Sequence, residues 1–241
     1  MVEGVFYFSH ETWQIVSRQI GTPSTLDLKL HEPMIGTIHK QSFPPLQTGD
    51  VQFSPIISLP DDYEIYDFTK GYDAQRLRSS PYGVGRYNER RPGMYEGEQY
   101  QADRRDIHVG VDIAAPVGEP VHAFFDGTIF KLGDNALPYD YGPTIITRHE
   151  WLEQTVYALH GHLARSSLSL WSEEDTFTAG QILGQIGEKS ENGGWNPHVH
   201  FQLCLYEPQT HDLPGVVSVR DREWALKAFP DPRLVLGPIY P

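Results

Sequence analysis

The sequence predicts a mainly β fold: an antiparallel β-sandwich or partly open barrel over residues 80–205, flanked by N- and C-terminal extensions. Three observations predict it. Short runs of alternating apolar and polar residues recur from residue 107 to 205, the period of a half-buried strand. Turn-forming clusters separate them, and long helical periodicity is missing. Glycine (22) and proline (19) are spread along the chain, as many short strands and turns require.

In the N-terminal extension, residues 1–79, Leu26, Leu28 and Leu30 alternate with Asp27 and Lys29, a half-buried strand pattern. Pro44, Pro45, Pro55 and Pro60 interrupt the next stretch, and His10, His31 and His39 read as surface or structural residues. Residues 76–106 turn polar, with Arg76, Arg78, Arg86, Arg90, Arg91, Arg104 and Arg105 among Gly83, Gly85, Pro92 and Gly93, and read as a solvated connection ahead of the alternative, a substrate-contacting segment. Strands are expected at Ile107–Ile113, Val121–Ala123, Gly127–Leu132, Thr144–His149, Thr155–Leu163, Ile182–Gly187 and Val199–Leu205. Their turns are Ala115-Pro116-Val117-Gly118, Asp126-Gly127, Gly133-Asp134-Asn135 and Asn192-Gly193-Gly194. In the C-terminal extension, 206–241, Asp221–Phe229 reads as a short helix among prolines.

Composition narrows the function. A formal net charge of −13 over 241 residues argues against a nucleic-acid surface or a binder of anionic membranes. Cys204 is the single cysteine, so an intramolecular disulfide and a cysteine-based zinc site are both excluded. The N-terminus has an early acid and no basic, apolar leader pattern, and no run reaches the length of a membrane span. The chain as written therefore reads as cytoplasmic, or as periplasmic or extracellular if a signal has been removed.

The chemistry is carried by histidines. In Pro197-His198-Val199-His200-Phe201-Gln202, His198, His200 and Gln202 share one strand face while Val199 and Phe201 take the other. His108-Val109-Gly110-Val111-Asp112 adds a third histidine and a carboxylate. In a straight strand four residues span about 13 Å, too far for both to ligate one ion. Gly110, the β-branched neighbours and Pro116 speak against a helix, so the chain must bend near Gly110. His160 and His162, two residues apart, form another pair expected on one strand face. Two histidines and a carboxylate with a position left for water suit a catalytic zinc ion, and they equally describe the facial triad of a non-haem iron oxygenase. His-Glu-x-x-His, phosphate-loop, dinucleotide and Gly-x-Ser-x-Gly patterns are all absent.

In order and spacing these pieces resemble the lysostaphin/LytM-type zinc metallopeptidases, which cut peptide bridges in bacterial peptidoglycan. The likeness runs through His108-x-x-x-Asp112, Ala114-Ala115-Pro116-Val117-Gly118-Glu119-Pro120-Val121, Gly161-His162-Leu163, Ala179-Gly180-Gln181-Ile182-Leu183-Gly184 and Pro197-His198-Val199-His200. It implies a Zn²⁺ ion held by His108, Asp112 and His200, with His162 and His198 beside the metal-bound water and the scissile carbonyl. His160 stands where the family usually has Tyr, and His160 and Trp195 become candidate substrate contacts. The implied activity is endopeptidase cleavage of peptidoglycan-type or glycine-rich peptides. The competing readings are a non-catalytic peptide- or peptidoglycan-binding regulator on the same scaffold, and the iron oxygenase.

Overall fold

The computed structural model describes residues 41–73, 78–101 and 103–241, together with two short paired strands, β1 (Val5–Phe6) and β2 (Ile15–Val16). The chain divides into two compact units, residues 1–42 and 43–241. The expected strand at Leu26–Leu30 and the histidines at 10, 31 and 39 lie outside the described residues. No helix among the described residues is long and apolar enough to cross a membrane.

The larger unit is built on β3 (Glu64–Ile65), β4 (Gly83–Gly85), β5 (Glu89–Arg90), β6 (Ile107–His108), β7 (Val111–Ala114), β8 (Pro120–His122) and β9 (Gly127–Asn135). The series continues with β10 (Gly142–Trp151), β11 (Gln154–Gly161), β12 (Thr176–Phe177), β13 (Ile182–Gln185), β14 (His198–Cys204) and β15 (Val216–Val217). Eight of these strands form one sheet in the order β12-β9-β10-β11-β14-β7-β4-β3. All its pairings are antiparallel except β3 with β4. Smaller sheets β13-β8 and β15-β6-β5 complete the unit. The fold is thus mainly antiparallel β, as expected, and the sheet stays open, with β12 and β3 at its edges.

Alternation does the sorting. Val111, Ile113, Val199, Phe201, Leu203, Ile145, Val156 and Ala158 are buried in a single core cluster, leaving the other face of β7 and β14 for polar groups. A helix spans Arg222–Ala228, one residue inside the segment expected at each end, and buries Ala225 and Ala228.

Residues 76–106 depart from the expected solvated connection. They supply β4, β5 and the one-turn helix Glu98–Gln101, and Arg91 is only 1% exposed. The glycines there serve close packing. A Cβ on Gly85 would stand 2.8 Å from the Arg91 guanidinium and 3.2 Å from the Asp112 carboxylate, so a bare backbone is what admits both groups.

Four polar residues lie among the buried residues of β10 and β11: Thr144, Thr147, His149 and His160. Thr147 Oγ1 is 2.7 Å from His149 Nε2, and His149 Nδ1–H donates to the Asp126 carbonyl at 3.0 Å. His160 Nε2 has no hydrogen-bond partner. Burial lowers the His149 pKa to about 4, while burial and the nearby His149 lower that of His160 to about 3. The unfolded chain takes up a proton near pH 6.5, where the folded one does not, so stability is full above 6.5 and falls as pH drops towards 3. At about 1.4 kcal/mol per unit, His160 accounts for on the order of 5 kcal/mol across that window. Urea unfolding at pH 7.5 and pH 5 is expected to show a smaller acid loss in His160→Leu than in the wild type. An unchanged gap would mean that His160 takes up its proton in the folded protein at the ordinary histidine pH, as in the unfolded chain.

Candidate metal centre

Strands β7 and β14 lie side by side with Asp112 opposite His200 and Ala114 opposite His198. Directly opposed residues of an antiparallel pair project from the same face, so this register sets the carboxylate beside the imidazole. His108 arrives from the β5-β6-β15 sheet, since β6 ends at His108 and β7 begins at Val111. The bend expected near Gly110 is therefore present, and it allows His108 and Asp112 to converge. It needs glycine, because a Cβ at 110 would lie 2.5 Å from His200 Cε1 and 2.9 Å from the Phe201 carbonyl.

The result is a tight triangle. His108 Nε2 lies 3.1 Å from Asp112 Oδ1 and 3.0 Å from His200 Nδ1, and His200 Nδ1 lies 3.0 Å from the same Asp112 oxygen. Among the described residues, this is the group of three whose donor atoms converge closely enough to hold a metal ion. The hydrogen-bond pattern assigns both tautomers. His108 Nδ1–H donates to the Arg86 carbonyl at 3.0 Å, leaving a lone pair on Nε2. His200 Nε2–H donates to Gln202 Oε1 at 3.0 Å, while Gln202 Nε2 donates to the Pro214 carbonyl at 3.4 Å. That leaves a lone pair on His200 Nδ1.

Asp112 supplies the charge. Its burial opposes ionisation, yet positive charge beside it, with Arg91 Nη1 donating to Oδ2 at 2.6 Å, holds the carboxyl well below the usual carboxylate range. Burial, with Arg91 next, lowers the His108 pKa to about 4, so its ring is neutral at pH 7. Two imidazole lone pairs and one carboxylate oxygen thus meet with no hydrogen between them. Three buried acceptors in mutual contact are satisfied by a cation, and two nitrogens plus one oxygen are the donor set of a catalytic zinc ion.

Two more histidines stand beside this triangle. His198 Nδ1–H donates to the Asn196 carbonyl at 2.6 Å, and His198 Nε2 is 3.7 Å from Asp112 Oδ1. His162 Nδ1–H donates to the Asn192 carbonyl at 2.9 Å. The two rings lie 4.3 Å apart between centroids. Burial lowers both pKa values, that of His162 well below the ordinary histidine value, with His198 adding to the effect on His162. Both rings are therefore neutral at pH 7 with Nε2 free to accept a proton. The Trp195 ring lies 6.4 Å from the His162 ring, and the Trp195 backbone N–H donates to Asn192 Oδ1 at 3.0 Å.

His160 does not join this group, which corrects its expected pairing with His162. Strand β11 ends at Gly161, and His162 takes a left-handed backbone with φ of +62°. That turn breaks the two-residue alternation, so the His162 ring meets His198. His160 stays in register with Phe201, its ring 5.2 Å from that core side chain. Arg91, Glu89 and Tyr141 join the site without having been expected there. Arg91 Nη1 donates to Asp112 Oδ2 at 2.6 Å, Arg91 Nε donates to Glu89 Oε2 at 3.0 Å, and the Tyr141 ring packs 5.1 Å from His200. Nothing distinguishes Arg91 from its neighbouring arginines in the sequence. Gln202 was legible through its shared strand face with His200.

Residues 106–211 match Peptidase family M23. Over 99 residues the chain is 33% identical to the DD-carboxypeptidase/endopeptidase Mpg of Neisseria meningitidis serogroup B (strain MC58), covering 41% of this chain and 20% of that protein. The Neisseria gonorrhoeae protein of the same name is 32% identical over the same length. The chain thus spans about a fifth of the length of the curated relatives it matches. Among solved structures, the catalytic domain of the prophage-encoded M23 protein EnpA from Enterococcus faecalis aligns at TM-score 0.39 and 25% identity, covering 59% of this chain and 92% of that one. The catalytic domain of lysostaphin from Staphylococcus simulans aligns at TM-score 0.40 and 22% identity, covering 60% and 92%.

Proposed function

Residues 106–211 match peptidase family M23, and on that premise we propose that the chain is a zinc-dependent endopeptidase acting on peptidoglycan-type or glycine-rich peptides. The observation that carries this reading is the meeting of His108 Nε2, His200 Nδ1 and Asp112 Oδ1 at 3.0–3.1 Å with their lone pairs turned inward. His108, Asp112 and His200 would hold the ion. Bound there, zinc supplies a Lewis acid that polarises a carbonyl and acidifies water towards pKa 7.

The remaining steps belong to the chain. His162 and His198 are neutral, buried and anchored through Nδ1, so each presents Nε2 as a proton acceptor towards the same space. One takes the proton of the attacking water, and the resulting imidazolium delivers it to the departing amine. Asp112, held ionised, stabilises positive charge on His198 at 3.7 Å. Trp195 and Tyr139, 5.9 Å apart, form an aromatic wall beside His162 for the substrate chain.

Purified without added metal, the protein is expected to carry about one zinc per chain, the occupancy of a three-ligand catalytic site. It should cleave muropeptides or a glycine-rich peptide, lose that activity to a chelator and recover it with Zn²⁺. Iron with oxygen-dependent turnover would favour the oxygenase reading. Tight muropeptide binding without hydrolysis would favour the regulatory one.

A further inference from the structure

Asp112 has two carboxylate oxygens, and the structure gives them different partners. Oδ1 faces His108 and His200, while Oδ2 accepts from Arg91 Nη1 at 2.6 Å. Arg91 is fully enclosed and committed on every side. Its Nε donates to Glu89 Oε2 at 3.0 Å, Nη1 also donates to the Tyr95 hydroxyl at 3.2 Å, and Nη2 donates to the Arg86 carbonyl at 3.2 Å. The same Arg86 carbonyl takes the Nδ1–H of His108. Arg91 is therefore tied directly to one expected ligand and shares an acceptor with a second.

The brace extends further. Glu89 Oε1 accepts the Phe68 backbone N–H at 3.3 Å, and the Phe68 ring lies 4.9 Å below the Arg91 guanidinium. Strand β3, just before Phe68, pairs with β4. Phe68, Glu89 and Arg91 all precede the family-matching residues 106–211.

We propose that Arg91, braced by Glu89 and Phe68, is a positioning residue of the metal centre that holds Asp112 so that one oxygen alone is turned to the ion. The proposal rests on the metal-site reading above. A planar guanidinium anchored through Nε on Glu89 and Nη2 on the Arg86 carbonyl sets Nη1 in one place against Oδ2, which a point charge on a flexible stem does not do. With Oδ2 held, Asp112 offers Oδ1 alone, and the centre keeps an open position for water and substrate. The single positive charge of Arg91 is shared between the buried Glu89 and Asp112 carboxylates. The segment preceding the family domain is on this account part of the active centre.

The test uses the full chain. Zinc affinity is measured by competition with a chromophoric chelator, and the Co²⁺-loaded protein is examined by visible absorption. Arg91→Gln is expected to weaken metal binding about 10–100-fold and to alter the Co²⁺ spectrum, with Arg91→Lys recovering part of the loss. Glu89→Gln and Phe68→Ala, which keep Arg91, should weaken binding in the same direction and report if Arg91→Gln fails to fold. Melting temperatures with and without metal separate the roles, because a positioning role shrinks the stabilisation gained on metal binding. Wild-type affinity and spectrum in these variants, with melting temperature lowered equally in both states, would overturn the proposal. If Asp112→Ala loses metal while the brace variants keep it, the positioning role alone fails; if the wild type binds neither metal, the metal reading fails with it.

Discussion

Replacing Asp112 with asparagine is expected to leave the protein folded, without bound zinc, and with hydrolytic activity reduced about 10³-fold or more. Zinc catalysis contributes several kcal/mol of charge stabilisation, and about 1.4 kcal/mol corresponds to tenfold in rate. Asp112 is the single carboxylate of the triangle, and its Oδ1 lies 3.1 Å from His108 Nε2 and 3.0 Å from His200 Nδ1. Asparagine keeps the shape and can still accept from Arg91 through its carbonyl oxygen. It then turns its amide nitrogen, a donor, into the space where two imidazole lone pairs converge. An NH₂ group there satisfies the histidines with hydrogen bonds and takes the place of the cation. Asp112→Ala is expected to be the harsher change. It strips the buried Arg91 of one carboxylate partner, a class of change that costs about 3–5 kcal/mol. Metal content and urea unfolding measured together check the pair. Stoichiometric zinc in Asp112→Asn would remove Asp112 from the ligand set.

How much of this centre was legible depends on which contacts are local. His198, His200 and Gln202 share a face because a strand has a period of two, and that period is visible in seven residues of sequence. The bend at Gly110 was legible by elimination, since neither a straight strand nor a helix joins His108 to Asp112. The helix at Arg222–Ala228 was likewise readable from its own residues. His162 was not. A non-glycine residue at φ of +62° costs on the order of 1 kcal/mol and is held by tertiary contacts. Its N–H goes to the Tyr141 carbonyl and its Nδ1–H to the Asn192 carbonyl, both at 2.9 Å, and neither partner is near in sequence. Arg91 was hidden for a related reason. Only tertiary pairing with Asp112 and Glu89 tells a buried arginine from the solvated ones around it, and composition alone reads the whole run as solvent-facing.

The second large effect divides the five histidine and aspartate side chains into two functions. His162→Asn and His198→Ala are each expected to lower kcat about 10²- to 10⁴-fold, the usual range for loss of a general acid or base. Zinc affinity should stay close to that of the wild type, since neither residue belongs to the converging triangle. Asparagine is the informative choice at 162, because it tolerates the left-handed backbone better than most residues and so limits the structural cost. The rings lie 4.3 Å apart and both offer Nε2, which points to a single proton-handling unit rather than two independent contributors. The double variant is then expected to be little worse than the poorer single one, as for residues that act together. Fully multiplicative losses would instead assign separate roles, one to the water and one to the carbonyl oxygen. Loss of zinc in either single variant would move that histidine into the ligand set and leave the other as the lone base.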